Sequence, residues 1–256
     1  MHSVRRSVLL AVLSALSVGC AAQPTPPPTA TPQQALVVEW DHDSSAVIVK
    51  YYSPSTTAGM AGAYDNRYYI PEVQIWGDGR IVWVVREQGR RALEGQLTAE
   101  QMSGLLQQIV DAGFFHWEEQ YYTPGGHSFP FMHLQVNLTS QSKEIREHGG
   151  APEAYYQVEE WLLSGAGAEG HEYRPTRGYL TVEPWSEEAE APEWPSEVAV
   201  TPDQIGEGRY VEGALLNWAW ELVNRNPTAP VYVTFEGRLY SIMVQIPGLS
   251  YFAPPQ

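Results

Sequence analysis

Two groups of histidine and acidic residues are the side chains in this sequence best suited to chemistry. Asp41, His42 and Asp43 place two carboxylates beside one imidazole, and His127 and His133 flank a Ser-Phe-Pro-Phe-Met segment. Imidazole and carboxylate are common ligands of zinc and similar metals, so these residues are weak candidates for a metal site. The alternative is a polar turn, a loop histidine and a strand histidine. We expect this alternative, with no metal and no cofactor.

Motifs of the large enzyme classes do not occur in the sequence. It lacks the Gly-x-Ser-x-Gly elbow and the His-Glu-x-x-His zinc motif, and neither of its lysines, Lys50 and Lys143, ends a glycine-rich phosphate loop. A catalytic site can also be assembled from residues that are distant in sequence. We therefore predict no catalytic residues, and an envelope hydrolase or metal-dependent enzyme with a dispersed site remains the alternative.

Aromatic residues are arranged in an unusual pattern. Adjacent tyrosines occur at 51–52, 68–69, 121–122 and 155–156, and there are nine tryptophans. In a strand, one tyrosine of such a pair points to each face of the sheet. Outward rings can stack on sugars or peptides, and core and rim packing is the alternative. The candidate stacking residues are Tyr52, Tyr69 and Tyr122, for a glycan or peptide ligand.

Composition and charge limit the possible partners. The chain has 256 residues, 43% of them hydrophobic, which is enough for a packed core. Its formal charge is −15, and loss of residues 1–19, which carry Arg5 and Arg6 and no acidic residue, would make it −17. Nucleic acid phosphates would repel such a chain, so we expect no nucleic-acid partner.

The N-terminus has the pattern of an export signal. Arg5 and Arg6 precede an apolar run from Val8 to Val18, which is too short to span a bilayer as a stable helix. The run ends in Leu-Ser-Val-Gly19-Cys20, and Cys20 is the only cysteine. This segment resembles the lipobox of bacterial lipoproteins. An ordinary secretory signal, cleaved near residue 15, is the alternative.

The resemblance to bacterial lipoproteins implies a location. It implies cleavage between Gly19 and Cys20, lipidation of the Cys20 thiol and usually acylation of the new amine. Residues 21–34 are rich in Pro, Thr and Gln, and as an extended spacer they could reach about 40 Å from a bilayer. The resemblance therefore implies a lipid-anchored protein of the cell membrane or outer membrane, facing away from the cytoplasm, and residue 21, which is not aspartate, fits the outer-membrane pattern.

Hydrophobic periodicity and turn residues predict an α+β fold after the leader. We expect mostly antiparallel sheet with about three helices packed on it. The predicted domains are a signal peptide at 1–19, a linker at 20–34 and a globular region at 35–256, with a possible sub-boundary near 166–195. Predicted strands span 36–40, 46–52, 72–76, 80–85, 132–138, 143–148, 178–185, 230–235 and 238–246, and predicted helices span 97–113, 152–165 and 208–224.

Three functions are compatible with these observations. The exported region is similar to uncharacterised bacterial lipoproteins, a resemblance that implies location and no activity. We expect a non-enzymatic binding or interaction module displayed outside the cytoplasm. An envelope enzyme and a structural envelope protein without a small ligand are the alternatives.

Overall fold

An eight-stranded sheet, called the large sheet, runs through the centre of the structure. The computed structural model describes residues 38–53, 69–86, 90–124, 131–225 and 231–255. The strands are β1 (Val47–Tyr52), β2 (Val73–Trp76), β3 (Arg80–Val85), β4 (Arg91–Gln96), β5 (Gln120–Tyr122), β6 (Met132–Asn137), β7 (Ser142–His148) and β8 (His171–Glu172). Their order across the sheet is β5-β7-β6-β1-β2-β3-β4-β8. Neighbours are antiparallel except β5 and β7, which are parallel.

The β2–β3 hairpin is the local feature that the sequence predicts most directly. The Asp78-Gly79 pair turns the chain, and Gly79 has φ = 86°, a left-handed conformation that glycine adopts without strain. The Gly79 amide donates to the Trp76 carbonyl at 3.0 Å. Both flanking strands form as predicted, and β3 is central, because it pairs with β2 on one side and β4 on the other.

Two helices cover one face of the large sheet. They are α1 (Ala99–Asp111) and α2 (Glu153–Leu163). Apolar side chains at helical spacing along α1 and α2 meet alternate residues of β1, β3, β6 and β7 in one buried cluster. Its fully buried members include Val49, Ile81, Leu105, Leu106, Ile109, Leu134, Ile145 and Leu162.

A second, four-stranded sheet, called the small sheet, carries the other core. Its strands are β9 (Gly178–Trp185), β10 (Arg209–Val211), β11 (Val231–Phe235) and β12 (Arg238–Gln245), in the order β10-β9-β12-β11. The short α3 (Pro202–Ile205) and the longer α4 (Gly213–Arg225) accompany it. Residues from α4 and the small sheet pack in one buried cluster with Trp76, Val82, Val84 and Ala92 of the large sheet. The large sheet is therefore buried on both faces along β2, β3 and β4.

The segment after β12 connects the two sheets. The Gln74 side chain donates to the Gly248 carbonyl at 2.7 Å, and the Tyr251 amide donates to the Tyr69 carbonyl at 2.8 Å. The Gln245 side chain donates to the Phe252 carbonyl at 3.1 Å. These bonds fix residues 246–252 against the start of β2.

The α+β class and the mostly antiparallel pairing are confirmed, and two element predictions need correction. The predicted helix at 208–224 begins only at Gly213, because residues 209–211 form β10 and pair with β9. Residues 38–40 of the predicted first strand are not in a strand. The described residues belong to one compact unit.

The N-terminal predictions fall on residues outside the described range, including the signal sequence, Gly19, Cys20 and the linker. None of the helices in the described part of the chain has the length and apolar character needed to cross a bilayer.

Candidate binding face on the large sheet

One half of the large sheet has a face that the helices do not cover. In β1, β6 and β7, the residues that alternate with the buried core point away from α1 and α2. Among the described residues, none from β5, β6 or β7 joins the buried core of the small sheet. This uncovered surface is called the open face. Strand pairing places on it Lys50, Tyr52, Tyr122, His133, Gln135, Glu144, Arg146 and His148.

Aromatic rings form a track along the open face. At one end, Tyr122 stacks on His148 with ring centroids 5.5 Å apart and planes 13° apart, and His148 contacts Phe131 at 4.9 Å. Phe131 precedes β6 and His133 lies within it, two residues further on.

The other half of the track passes from the sheet to the C-terminal segment. His133 contacts Tyr52 at 5.1 Å, Tyr52 contacts Tyr251 at 5.7 Å, and Tyr251 contacts Phe252 at 5.0 Å. Tyr122 is 56% exposed and Phe252 is 47% exposed, and no other large hydrophobic side chain of the described residues is exposed. The two exposed large hydrophobic side chains therefore lie at the two ends of one aromatic track.

Glu144 organises the polar groups in the middle of the track. Its Oε2 accepts a hydrogen bond from the Tyr52 hydroxyl at 2.7 Å, and its Oε1 lies 3.1 Å from His133 Nδ1. Arg146 Nε lies 3.9 Å from the same Oε1. Burial raises the pKa of the Tyr52 hydroxyl, and the bond to Glu144 raises it further, so this hydroxyl keeps its proton and donates.

Lys50 adds a cation beside the aromatic rings. Its Nζ lies 4.8 Å from the centroid of the Tyr52 ring and 5.5 Å from that of Tyr251, within the range of a cation–π contact. Burial lowers the pKa of Lys50, and the charge of Glu144 opposes that shift. The open face therefore combines two cations and one carboxylate with exposed rings, on a chain whose formal charge is −15.

The structure brings together some of the predicted stacking residues. Tyr52 and Tyr122 lie on the open face, and so does His133, predicted as a weak metal candidate. The Tyr69 side chain is held through its hydroxyl, which donates to Glu72 Oε1 at 3.2 Å and accepts from the Ser53 amide at 3.2 Å.

The other metal candidates take part in a turn. Asp41 Oδ1 accepts from the Asp43 amide at 2.9 Å, and Asp43 Oδ1 accepts from the Ser45 amide at 2.7 Å and from its hydroxyl at 2.6 Å. These hydrogen bonds from Ser45, the hydroxyl first, lower the pKa of Asp43. The His42 ring lies against Trp40, 4.6 Å between centroids. His127 falls outside the described residues.

No metal cluster forms elsewhere in the described chain. Within its described ranges, no group of three or more His, Cys, Asp or Glu side chains is arranged to share a metal ion.

Sequence reasoning missed several residues of the open face. Glu144, Arg146 and His148 occupy every second position of β7, but Ile145 is the one apolar residue of this strand, so its sequence does not show which polar residues share a face. Tyr251 and Phe252 carried no signal either, because their place depends on how the C-terminal segment crosses the start of β2.

A second polar cluster lies on the helix-covered side of the same strands. The Tyr51 hydroxyl donates to Glu159 of α2, and the Tyr156 hydroxyl donates to Glu147 at 2.9 Å. Burial raises the pKa of Glu159, with a smaller contribution from the charge of Glu147 and an opposing one from the Tyr51 hydrogen bond. This cluster joins α2 to the sheet beneath it.

Comparison with known proteins finds no relative: no protein-family model, no curated protein and no solved structure matches this chain. The functional argument therefore rests on the geometry of the open face.

Proposed function

We propose that this protein is a non-enzymatic binding module of the bacterial cell envelope, and that its open face binds a glycan. The observation that carries the proposal is the aromatic track whose two ends are the exposed side chains of Tyr122 and Phe252. Isolated exposed apolar residues are common on protein surfaces, whereas aligned ones indicate a contact surface.

The chemistry of the open face suits a sugar chain. Sugar rings have apolar faces that stack on aromatic rings, and hydroxyl rims that need hydrogen-bond donors and acceptors. Arg146 and Glu144 supply both kinds of group next to the rings, and their side chains are 53% and 35% exposed. A peptide that added a strand would need a free sheet edge, and the track lies on a sheet face.

The export signal and lipid anchor are a separate part of the proposal. They are supported by the basic residues, the short apolar run and the single Cys20 followed by a proline-rich spacer. Mass spectrometry of the native N-terminus should find a lipidated Cys20. A chain that begins elsewhere, or a free Cys20 thiol, would contradict the anchor and leave the open face untouched.

Glycan binding can be tested at the two ends of the track. We expect the purified protein to bind members of a glycan array, and Y122A and F252A each to weaken that binding about ten-fold, since each removes one stacking ring. Y232A is the control, because Tyr232 lies in β11 of the small sheet. Calorimetric titration with the best array ligand measures the change.

Three results would contradict the proposal. The first is an array without binding, and the second is equal affinity of Y122A, F252A and wild type. The third is hydrolysis of the bound glycan, which would make the protein an enzyme. If the protein bound peptides selectively and no glycans, the open face would still be a binding site, but the proposal that its ligand is a glycan would be wrong.

A further inference from the structure

The charged groups of the open face differ in how far the protein itself uses them. Both oxygens of the Glu144 carboxylate have internal partners, the Tyr52 hydroxyl at 2.7 Å and His133 Nδ1 at 3.1 Å. Arg146 Nε approaches this carboxylate only at 3.9 Å, which is too long for a hydrogen bond, and the Arg146 side chain is 53% exposed. The open face therefore offers a ligand the N–H groups of Arg146 more readily than the oxygens of Glu144.

Lys50 is a second cation of this face, and it lacks a carboxylate partner of its own. Its Nζ lies over the rings of Tyr52 and Tyr251, and no carboxylate of the described residues forms an ion pair with it. Burial lowers the pKa of Lys50, and the charge of Glu144 only partly opposes that shift. An anion bound beside Nζ would stabilise the charged form of Lys50.

Strand register places both cations along the aromatic track. Arg146 pairs with His133 on one side and with Gln120 on the other, and His133 pairs with Tyr52. Lys50 lies two residues before Tyr52 in β1, so both side chains are on the same face. Since β6 separates β1 from β7, the backbones at Lys50 and Arg146 are about 10 Å apart or more. A ligand that reaches both cations therefore extends along the track.

The net charge of the chain has less influence on a bound ligand than the charges that touch it. The formal charge of −15 would slow the approach of a polyanion. At physiological ionic strength, however, exposed charges more than about 8 Å away are largely screened. On the described strands of the open face, the permanent charges are those of Lys50, Arg146 and Glu144, two positive and one negative.

We propose that the glycan bound on the open face is acidic, and that Arg146 and Lys50 each hold one of its anionic groups. This inference rests on the proposed function and adds the chemical class of the ligand. The guanidinium fork of Arg146 fits two oxygens of a carboxylate or sulfate, and Lys50 supplies a point charge. Uronate sugars and sulfated sugars are the two sources of such groups.

Glycans that differ in charge but not in their sugar rings test the proposal. The array carries oligosaccharides of galacturonate, mannuronate and sulfated galactose, each beside its neutral form, methyl-esterified or desulfated. We expect the most tightly bound glycan to be an acidic one, and calorimetric titration to show at least ten-fold weaker binding of its neutral form. Added sodium chloride should weaken binding of the acidic form alone. The pair that shows the difference identifies the anion as carboxylate or sulfate.

R146Q removes the charge and the fork, and R174Q is its matched control. Arg174 has a 68% exposed side chain and a carboxylate two residues earlier, as Arg146 has. It follows β8, at the opposite edge of the large sheet from β5 and β7. We expect R146Q to weaken binding of the acidic form about ten-fold, which is the effect of losing a hydrogen bond between charged groups. Its affinity for the neutral form should not change, and R174Q should change neither affinity.

K50Q tests the second cation with the same two glycans. We expect the preference for the acidic form to fall about three-fold, because a point-charge contact at a surface contributes less than a hydrogen-bonded fork. A preference that is unchanged in both R146Q and K50Q would overturn the proposal.

Equal affinity of wild type for the acidic and neutral forms would also overturn the proposal, and so would an equal loss of both affinities in R146Q. Either result would leave glycan binding itself intact. An array without any binding would instead contradict the proposed function, and this inference with it. Y122A and F252A should weaken binding of both forms alike, because their rings stack on the sugar faces and not on the anionic groups.

Discussion

Glu159 is a carboxylate whose surroundings disfavour its charge. Burial raises its pKa above the ordinary 4.5, and the negative charge of Glu147 adds to that shift. The Tyr51 hydrogen bond opposes both without cancelling them. The folded protein therefore holds the Glu159 proton at pH values where the unfolded chain has released it.

The sign of the resulting pH dependence follows from linkage. A raised folded-state pKa makes this group's contribution to stability fall as pH rises from 4.5 through the folded pKa. We expect E159Q, which keeps an acceptor for Tyr51, to gain stability relative to wild type at about pH 7 and to lose that relative gain at about pH 4. Urea unfolding at both pH values measures the free energy of unfolding.

A matched variant isolates the effect of burial. Glu160 is the neighbouring acid on α2 and is exposed, so E160Q should change the free energy of unfolding little at either pH. A difference between E159Q and wild type that is the same at both pH values would show that Glu159 does not titrate in this window.

Among the elements, α1 is the one whose start and end are set most completely by residues close to it in sequence. Thr98 accepts from the Gln101 amide at 3.2 Å, and the Gln101 side chain accepts from the Thr98 amide at 2.8 Å, forming the capping box that the sequence predicts. Leu97 before the cap and Met102 within the helix are both buried. The left-handed Gly113, with φ = 93°, follows the end of the helix.

Loss of the cap should cost a measurable part of the stability. We expect T98A to lower the free energy of unfolding by about 1 kcal/mol, because the Gln101 amide at the start of α1 loses its side-chain acceptor. T139A replaces an exposed threonine outside any helix and should be close to neutral. Equal effects of the two variants in chemical denaturation would argue against a stabilising role for the cap.

Elements stabilised by neighbouring residues could be predicted, whereas those stabilised by distant partners could not. The helices α1 and α2 and the hairpins carry their periodicity and turn residues within a short window. The residues of β4 are mostly good helix formers, and they adopt a strand because β3 pairs with them. The sequence predicts β10 as helix and does not predict β5, for the same reason: the residues with which they pair, in β9 and β7, are 26 or more positions away in sequence.

In the candidate site, too, features set by nearby residues could be predicted and features set by distant strand partners could not. Alternation within a strand indicates that Tyr51 and Tyr52 lie on opposite faces of the sheet, and they do, but Tyr52 is buried at 8% exposure, because the ring of Tyr251 packs against it. The pairing of β5 with β7, which sets Tyr122 against His148, is not encoded locally.

At the scale of the whole molecule, two cores share one sheet. Along β3, Ile81 and Trp83 belong to the core beneath α1 and α2, whereas Val82 and Val84 belong to the core of α4 and the small sheet. A change in either core therefore acts on the same strand. We expect the two cores to unfold together.

This coupling can be measured with one leucine from each core. Leu105 and Leu216 are both fully buried, so L105A and L216A should each lower the free energy of unfolding by about 2–5 kcal/mol. In both variants, the transitions followed by circular dichroism and by tryptophan fluorescence should coincide. Separate transitions in either variant would show that the two cores unfold independently.

The outermost strands have a consequence for crowded conditions. In the large sheet, β5 has three residues and β8 has two, and in the small sheet β10 has three. β11 is longer, but residues 192–194 lie along it, with the Trp194 amide donating to the Thr234 carbonyl at 2.7 Å. A long unpaired strand can recruit further chains into intermolecular sheets and fibrils, and each outer edge of the two sheets in the described part of the chain is either short or paired. Many copies held close together on one surface should therefore stay separate molecules.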